Sequence, residues 1–105
     1  MTLQEYLDEA GRSPFGRWFD GINAAAAAKV TTARIEQRNF SNVEGVGSGV
    51  FERKIDFGPG YRVYFGKDGE RLIILVGGGT KKGQAGDIAR TRERWAEYKQ
   101  RKGKG

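Results

Sequence analysis

Residues 57–65 read FGPGYRVYF. Gly58-Pro59-Gly60 is turn chemistry, because the prolyl ring holds one backbone angle and glycine accepts conformations closed to other residues. The five residues after it alternate. Tyr61, Val63 and Phe65 fall on one side and Arg62 and Tyr64 on the other, the period of a strand. Residues 50–57 alternate in the same way, Phe51, Ile55 and Phe57 against Glu52, Lys54 and Asp56. Two such runs joined by a short turn predict an antiparallel hairpin with Glu52 and Lys54 on the face of Arg62 and Tyr64. A further strand over 71–76 follows Gly66-Lys67-Asp68-Gly69, where Asp-Gly signals a second hairpin. The centre of the chain therefore reads as a meander.

Helical patterns flank it. Ser13 is placed to cap a helix and Pro14 to open it, where a missing N–H costs nothing. Phe15, Trp18, Phe19 and Ile22 then recur at i, i+3, i+4 and i+7, one apolar stripe. Asn23 is placed to cap a second helix, AAAAAKVTTARIEQR, expected to pack antiparallel beside the first. Residues 2–8 alternate weakly and predict an edge strand, whereas SNVEGVGSG reads as a glycine-rich loop. A final helix is expected from about Asp87 to Gln100, with Ile88, Trp95 and Tyr98 facing the sheet and residues 101–105 as a frayed tail. The whole is one α+β domain over 1–105, with helices on one sheet face and the other face open. Trp18 and Trp95 read as core.

Composition limits the chemistry. The 105 residues contain no cysteine and no histidine. Disulfides, thiolate nucleophiles, serine–histidine triads and zinc–histidine sites are excluded within this sequence. Proton transfer is left to Lys, Arg, Tyr, Asp and Glu. No apolar run approaches the roughly 20 residues that cross a membrane. No basic-then-apolar segment opens the sequence, so no export signal is read and a cytoplasmic protein is expected. The net charge of +6 is uneven: residues 1–49 hold five basic and six acidic side chains, residues 50–105 fourteen and seven. A basic half suits a polyanionic partner, nucleic acid above all.

On an open sheet face, Arg62, Lys54 and Tyr64, with Lys81 and Lys82 at the rim, would suit a phosphodiester backbone, and Tyr64 would stack on a base. GGGTKKG is not a nucleotide-binding P-loop, because Gly83 follows Lys82 where Ser or Thr is required. GVGSG lacks the dinucleotide spacing and its βαβ setting.

The string GVFERKIDFGPGYRVYF, with LVGGGTKKGQAGDI and a Trp-containing helix after it, resembles the RelE/ParE superfamily of bacterial toxins, in particular its HigB-like branch, the addiction-module killer proteins. GRSPFGRWFDGI and AAKVTTARIEQR fit that branch's paired N-terminal helices, so the likeness covers nearly the whole chain. It implies a β-α-α-β-β-β-α fold and a type II toxin that cuts mRNA in the ribosomal A site, held in check by a helix-turn-helix antitoxin. The family's strand arginine falls on Arg62, its preceding basic position on Lys54 and its later one on Lys81 or Lys82; these four are the catalytic candidates. Tyr64, Arg53, Gln84 and Arg90 are the candidates for RNA contact, with Arg53 standing where the branch has Leu. In the implied reaction the RNA 2′-OH attacks the adjacent phosphate with no metal or cofactor, Arg62 grips the phosphate and Lys54 is the base. Two alternatives stay open: a ParE-like toxin that poisons DNA gyrase, and a toxin-fold protein that only binds.

Overall fold

The computed structural model describes residues 2–35, 42–70 and 72–104. Five strands form one mixed sheet in the order β1-β5-β4-β3-β2. They are β1 (Thr2–Glu5), β2 (Val43–Gly47), β3 (Val50–Ile55), β4 (Tyr61–Asp68) and β5 (Leu72–Thr80). β1 runs parallel to β5, and the remaining pairs are antiparallel. Three helices complete the α+β domain: α1 (Pro14–Gly21), α2 (Ala24–Ile35) and α3 (Gln84–Lys104), the last entered through a 3₁₀ turn at Lys81–Gly83. No helix among the described residues is long and apolar enough to cross a membrane.

The hairpin at the centre has the expected register, with Glu52 opposite Tyr64 and Lys54 opposite Arg62. Gly58 and Gly60 take positive φ, 57° and 82°, and the Gly60 N–H closes the turn on Phe57 O at 3.1 Å. The caps also form: Ser13 Oγ accepts from Gly16 N–H at 2.9 Å and Asn23 Oδ1 from Ala26 N–H at 2.8 Å. α1 and α2 rest chiefly on the sheet, α1 along β5 and α2 against β3, rather than on each other. The expected end of α2, Glu36 to Arg38, and Arg71 lie outside the described residues.

Three expectations are corrected. β2 is a strand, although VEGVG looked like loop: Ser48 (φ 59°) and Gly49 (φ 84°) make a two-residue turn of the kind that matches strand twist and returns the chain into β3. The last helix does not stop near Gln100 but continues to Lys104. Arg101 donates to Leu7 O at 2.5 Å and Lys102 pairs with Asp68, which ties the last turn down.

Most consequentially, neither sheet face is open. Phe15, Ala26, Val30, Tyr61, Val63, Phe65, Ile73 and Leu75 form a core under α1 and α2. Tyr6, Val50, Tyr64, Ile74, Val76 and Trp95 form a second core under α3. α3 can lie this close because glycines remove side chains beneath it. A Cβ on Gly66 would overlap the Trp95 indole, and one on Gly79 would overlap the Asp87 carboxylate. On the opposite face Gly78 makes the same allowance for Trp18. Two of the three consecutive glycines are therefore seats for side chains, not a cradle for a phosphate.

Candidate nucleic-acid interface

Lys54 and Arg62 face each other across β3 and β4 at the end of the sheet that α3 only begins to cover. Backbone geometry brings in the next cations. The Lys81 N–H donates to Gly60 O at 2.9 Å, so the 3₁₀ turn docks on the Gly-Pro-Gly turn. An added Cβ at Gly60 would lie 3.4 Å from Arg62 Nη1 and 3.6 Å from Lys81 Cβ, which measures how closely the three meet. Lys54, Lys81 and Lys82 are exposed, and Lys54 Nζ lies 3.7 Å from Glu44 Oε1 on β2. A pair this open to water contributes little and yields easily to a competing anion.

Arg62 differs from them. Its residue is 8% exposed and its Nε sits 3.3 Å from Oε1 of Glu52, which is fully buried. Gln84 at the start of α3 donates to both Glu52 oxygens, at 3.0 and 2.9 Å. Glu52 is thus held from two sides, and Arg62 supplies the charge that makes its burial tolerable. Tyr64 is buried beside this group, with no hydrogen-bond partner for its hydroxyl among the described residues. Burial first, and then the carboxylates of Glu52 and Asp87, push its pKa well above the ordinary tyrosine value, so the phenol stays neutral.

The predicted site is therefore brought together in part. Lys54, Lys81 and Lys82 share one accessible rim, with the Arg62 guanidinium directly behind it. The expected outward projection of Arg62 and Tyr64 is wrong, because α3 covers the face they share. Tyr64 cannot stack on a base. Arg53 is buried on the other face, opposite Val63, and is no part of the rim. Gln84 spends its donors on Glu52. Arg90 is exposed but lies on the far flank of α3, where it pairs with Asp87. Sequence reading missed the Glu52–Gln84 link. Its only signal was a carboxylate at the parity of two cations.

No family model matches the chain. A protein of Haemophilus influenzae described only as uncharacterized is 39% identical over 77 residues, spanning 70% of this chain and 78% of that protein. At that identity and coverage, the chain belongs to the same protein family as the Haemophilus influenzae protein.

Proposed function

We propose that this chain is a type II toxin of the RelE/ParE kind, HigB-like, which engages ribosome-bound mRNA at the Lys54–Lys81–Lys82 rim, cuts it and stops translation. The observation that carries the reading is the convergence of cations from β3, β4 and the 3₁₀ turn at one end of the sheet, locked by the Lys81–Gly60 hydrogen bond. Such a rim binds phosphates through charge and does not depend on base identity.

In the proposed reaction the 2′-oxygen bonds to phosphorus as the P–O5′ bond breaks. Lys54 receives the 2′-OH proton, and Lys81 or Lys82 gives one to the departing 5′-oxygen. The products are a 2′,3′-cyclic phosphate and a 5′-hydroxyl. For Arg62 to stabilise the crowded phosphorane, its guanidinium must exchange Glu52 for phosphate while Gln84 keeps Glu52 satisfied. A helix-turn-helix antitoxin would cover this rim in the cytoplasm.

One observation favours a second reading. Arg62 is already committed to a buried carboxylate, as suits a toxin-fold protein that grips RNA without cutting it. Expression of the protein followed by mapping of new 5′-hydroxyl ends on ribosome-bound message separates the two. Cleavage lost in Lys54→Ala and in Lys81→Ala/Lys82→Ala supports the nuclease. RNA binding at the rim with intact message supports the binder. DNA breaks with intact message and no RNA binding would overturn both in favour of a gyrase-directed toxin.

A further inference from the structure

A second group of cations lies on the other flank of α3. Among the described residues β1 pairs with β5 along Leu72 to Leu75, and Tyr6 N–H follows with a bond to Leu75 O at 2.9 Å. Beyond it, the outer edge of residues 76–80 has no neighbouring strand among the described residues. α1 and α3 wall this stretch and leave a cleft of about 260 Å³, lined by Asp8, Arg17, Gly78, Asp87, Arg90 and Arg94.

The two acids in the cleft are already engaged. Asp8 Oδ1 accepts from the N–H groups of Ala10 and Arg12, each at 2.9 Å, and Asp87 pairs with Arg90. Arg17 and Arg94 have no ion-pair or hydrogen-bond partner among the described residues, and Arg94 is partly buried. Its Nη1 lies 3.3 Å from where a Cβ on Gly77 would stand, so the guanidinium is laid over the α3-side face of β5. Two uncommitted guanidiniums lining one cleft suit an oxyanion, since each offers a planar fork of N–H donors and neither is paired with an acid among the described residues.

We infer that the Arg17–Arg94 cleft is a phosphate subsite for a single strand of RNA. This inference rests on the RNA-binding reading and extends it. Lys54 rides on β3 and the cleft lies by β5, so about two strand spacings, ~10 Å, separate that end of the rim from the cleft. The start of α3 stands between them, with Gln84 bonded to Glu52 on the rim side and Asp87 lining the cleft. One RNA strand crossing that helix end touches Lys54, Lys81 and Lys82 on one side and Arg17 and Arg94 on the other. Arg90 would join by exchanging Asp87 for phosphate.

The test uses the full chain and a fluorescent single-stranded RNA oligonucleotide, with anisotropy read over a range of salt and amide spectra recorded for Gly77, Gly78 and Gly79. Arg17→Gln and Arg94→Gln change one exposed and one partly buried side chain without a partner, and circular dichroism checks that both fold. The expected result is binding weakened about tenfold by each. The slope of log affinity against log salt should be reduced by about 0.7 per lost phosphate contact. RNA and inorganic phosphate should both shift the three glycine amides, and the RNA shifts should persist in Lys54→Ala. Weakening by Lys54→Ala but not by either arginine variant overturns the cleft and leaves the proposed function standing. An oligonucleotide that does not bind at all overturns both. Amides that respond to an acidic peptide and not to RNA make the cleft a protein-docking site and overturn the inference.

Discussion

The two faces of β4 are equally buried and are built on opposite principles. Toward α1 and α2 it presents Tyr61, Val63 and Phe65 to an aromatic cluster in which Phe51 stacks on Phe65 at 5.6 Å and Phe57 on Tyr61 at 6.4 Å. Toward α3 it presents Arg62 to the Glu52 carboxylate, Tyr64 with its own hydroxyl buried and unpartnered among the described residues, and Gly66 to the Trp95 indole. The first face is stabilised by area removed from water, which has no direction and tolerates repacking. The second depends on particular partners at particular distances. Removing one atom there leaves another without its complement. The sheet end proposed to meet RNA thus sits on the half held by specific partners, so a role for Arg62 in that proposal must be separated from its part in stability.

That contrast can be broken most sharply at the buried pair. Arg62→Ala leaves the buried Glu52 carboxyl with Gln84 but without its cation, and chemical denaturation should show a loss of about 3–5 kcal/mol. The double substitution Glu52→Gln/Arg62→Met should recover most of it. A single variant as stable as the parent would show that the pair carries no structural weight. Comparable in size is Phe15→Ala on the opposite face, where a fully buried ring is removed and about 3–5 kcal/mol should be lost to transfer and cavity terms. Here no second substitution at a charged site should compensate.

Gly66→Val comes next. The new side chain would collide with Trp95, so a loss of about 1–3 kcal/mol and a changed tryptophan emission are expected. A silent emission spectrum would mean that α3 does not lie where described.

The smallest effects concern titration. Burial raises the Tyr6 and Tyr98 phenols to about 12 and Tyr64 higher still, against 10.0 when unfolded. Because the folded values are raised, the neutral phenols stabilise fully below pH 10, and that contribution falls as pH rises through the folded values. Unfolding free energy should therefore decline from pH 10 upward, less steeply in Tyr64→Phe, which at neutral pH is expected to be neutral or slightly stabilising because its hydroxyl has no partner. Asp68 has the opposite sign. Hydrogen bonds from Lys102 and Tyr98 hold its carboxyl below its ordinary value of 3.8. Its contribution is present above pH 3.8 and lost as pH falls through the folded value, and Asp68→Asn should flatten that acid limb.

The central hairpin was legible in the sequence because its signals are local. Gly-Pro-Gly turns the chain, period-two alternation sets the register, and Ser13 and Asn23 satisfy helix starts within three residues of themselves. The pairing of Lys54 with Arg62 follows from that register alone. What covers the outward side of β4 is decided by α3, which returns from twenty residues further on and can lie flat only where glycines have cleared the surface. Alternation says which residues share a face, not whether that face meets water, so Arg62 and Tyr64 read as exposed when they are buried. Glu52 as the partner of both Arg62 and Gln84 is likewise a tertiary fact, since nothing in a strand's own pattern identifies the helix residue that will hydrogen-bond its carboxylate. The sequence alone determined which charges this protein carries and which strand each one rides on. The three-dimensional packing decided which of them reach solvent, because burial depends on segments far apart in the chain meeting at one surface.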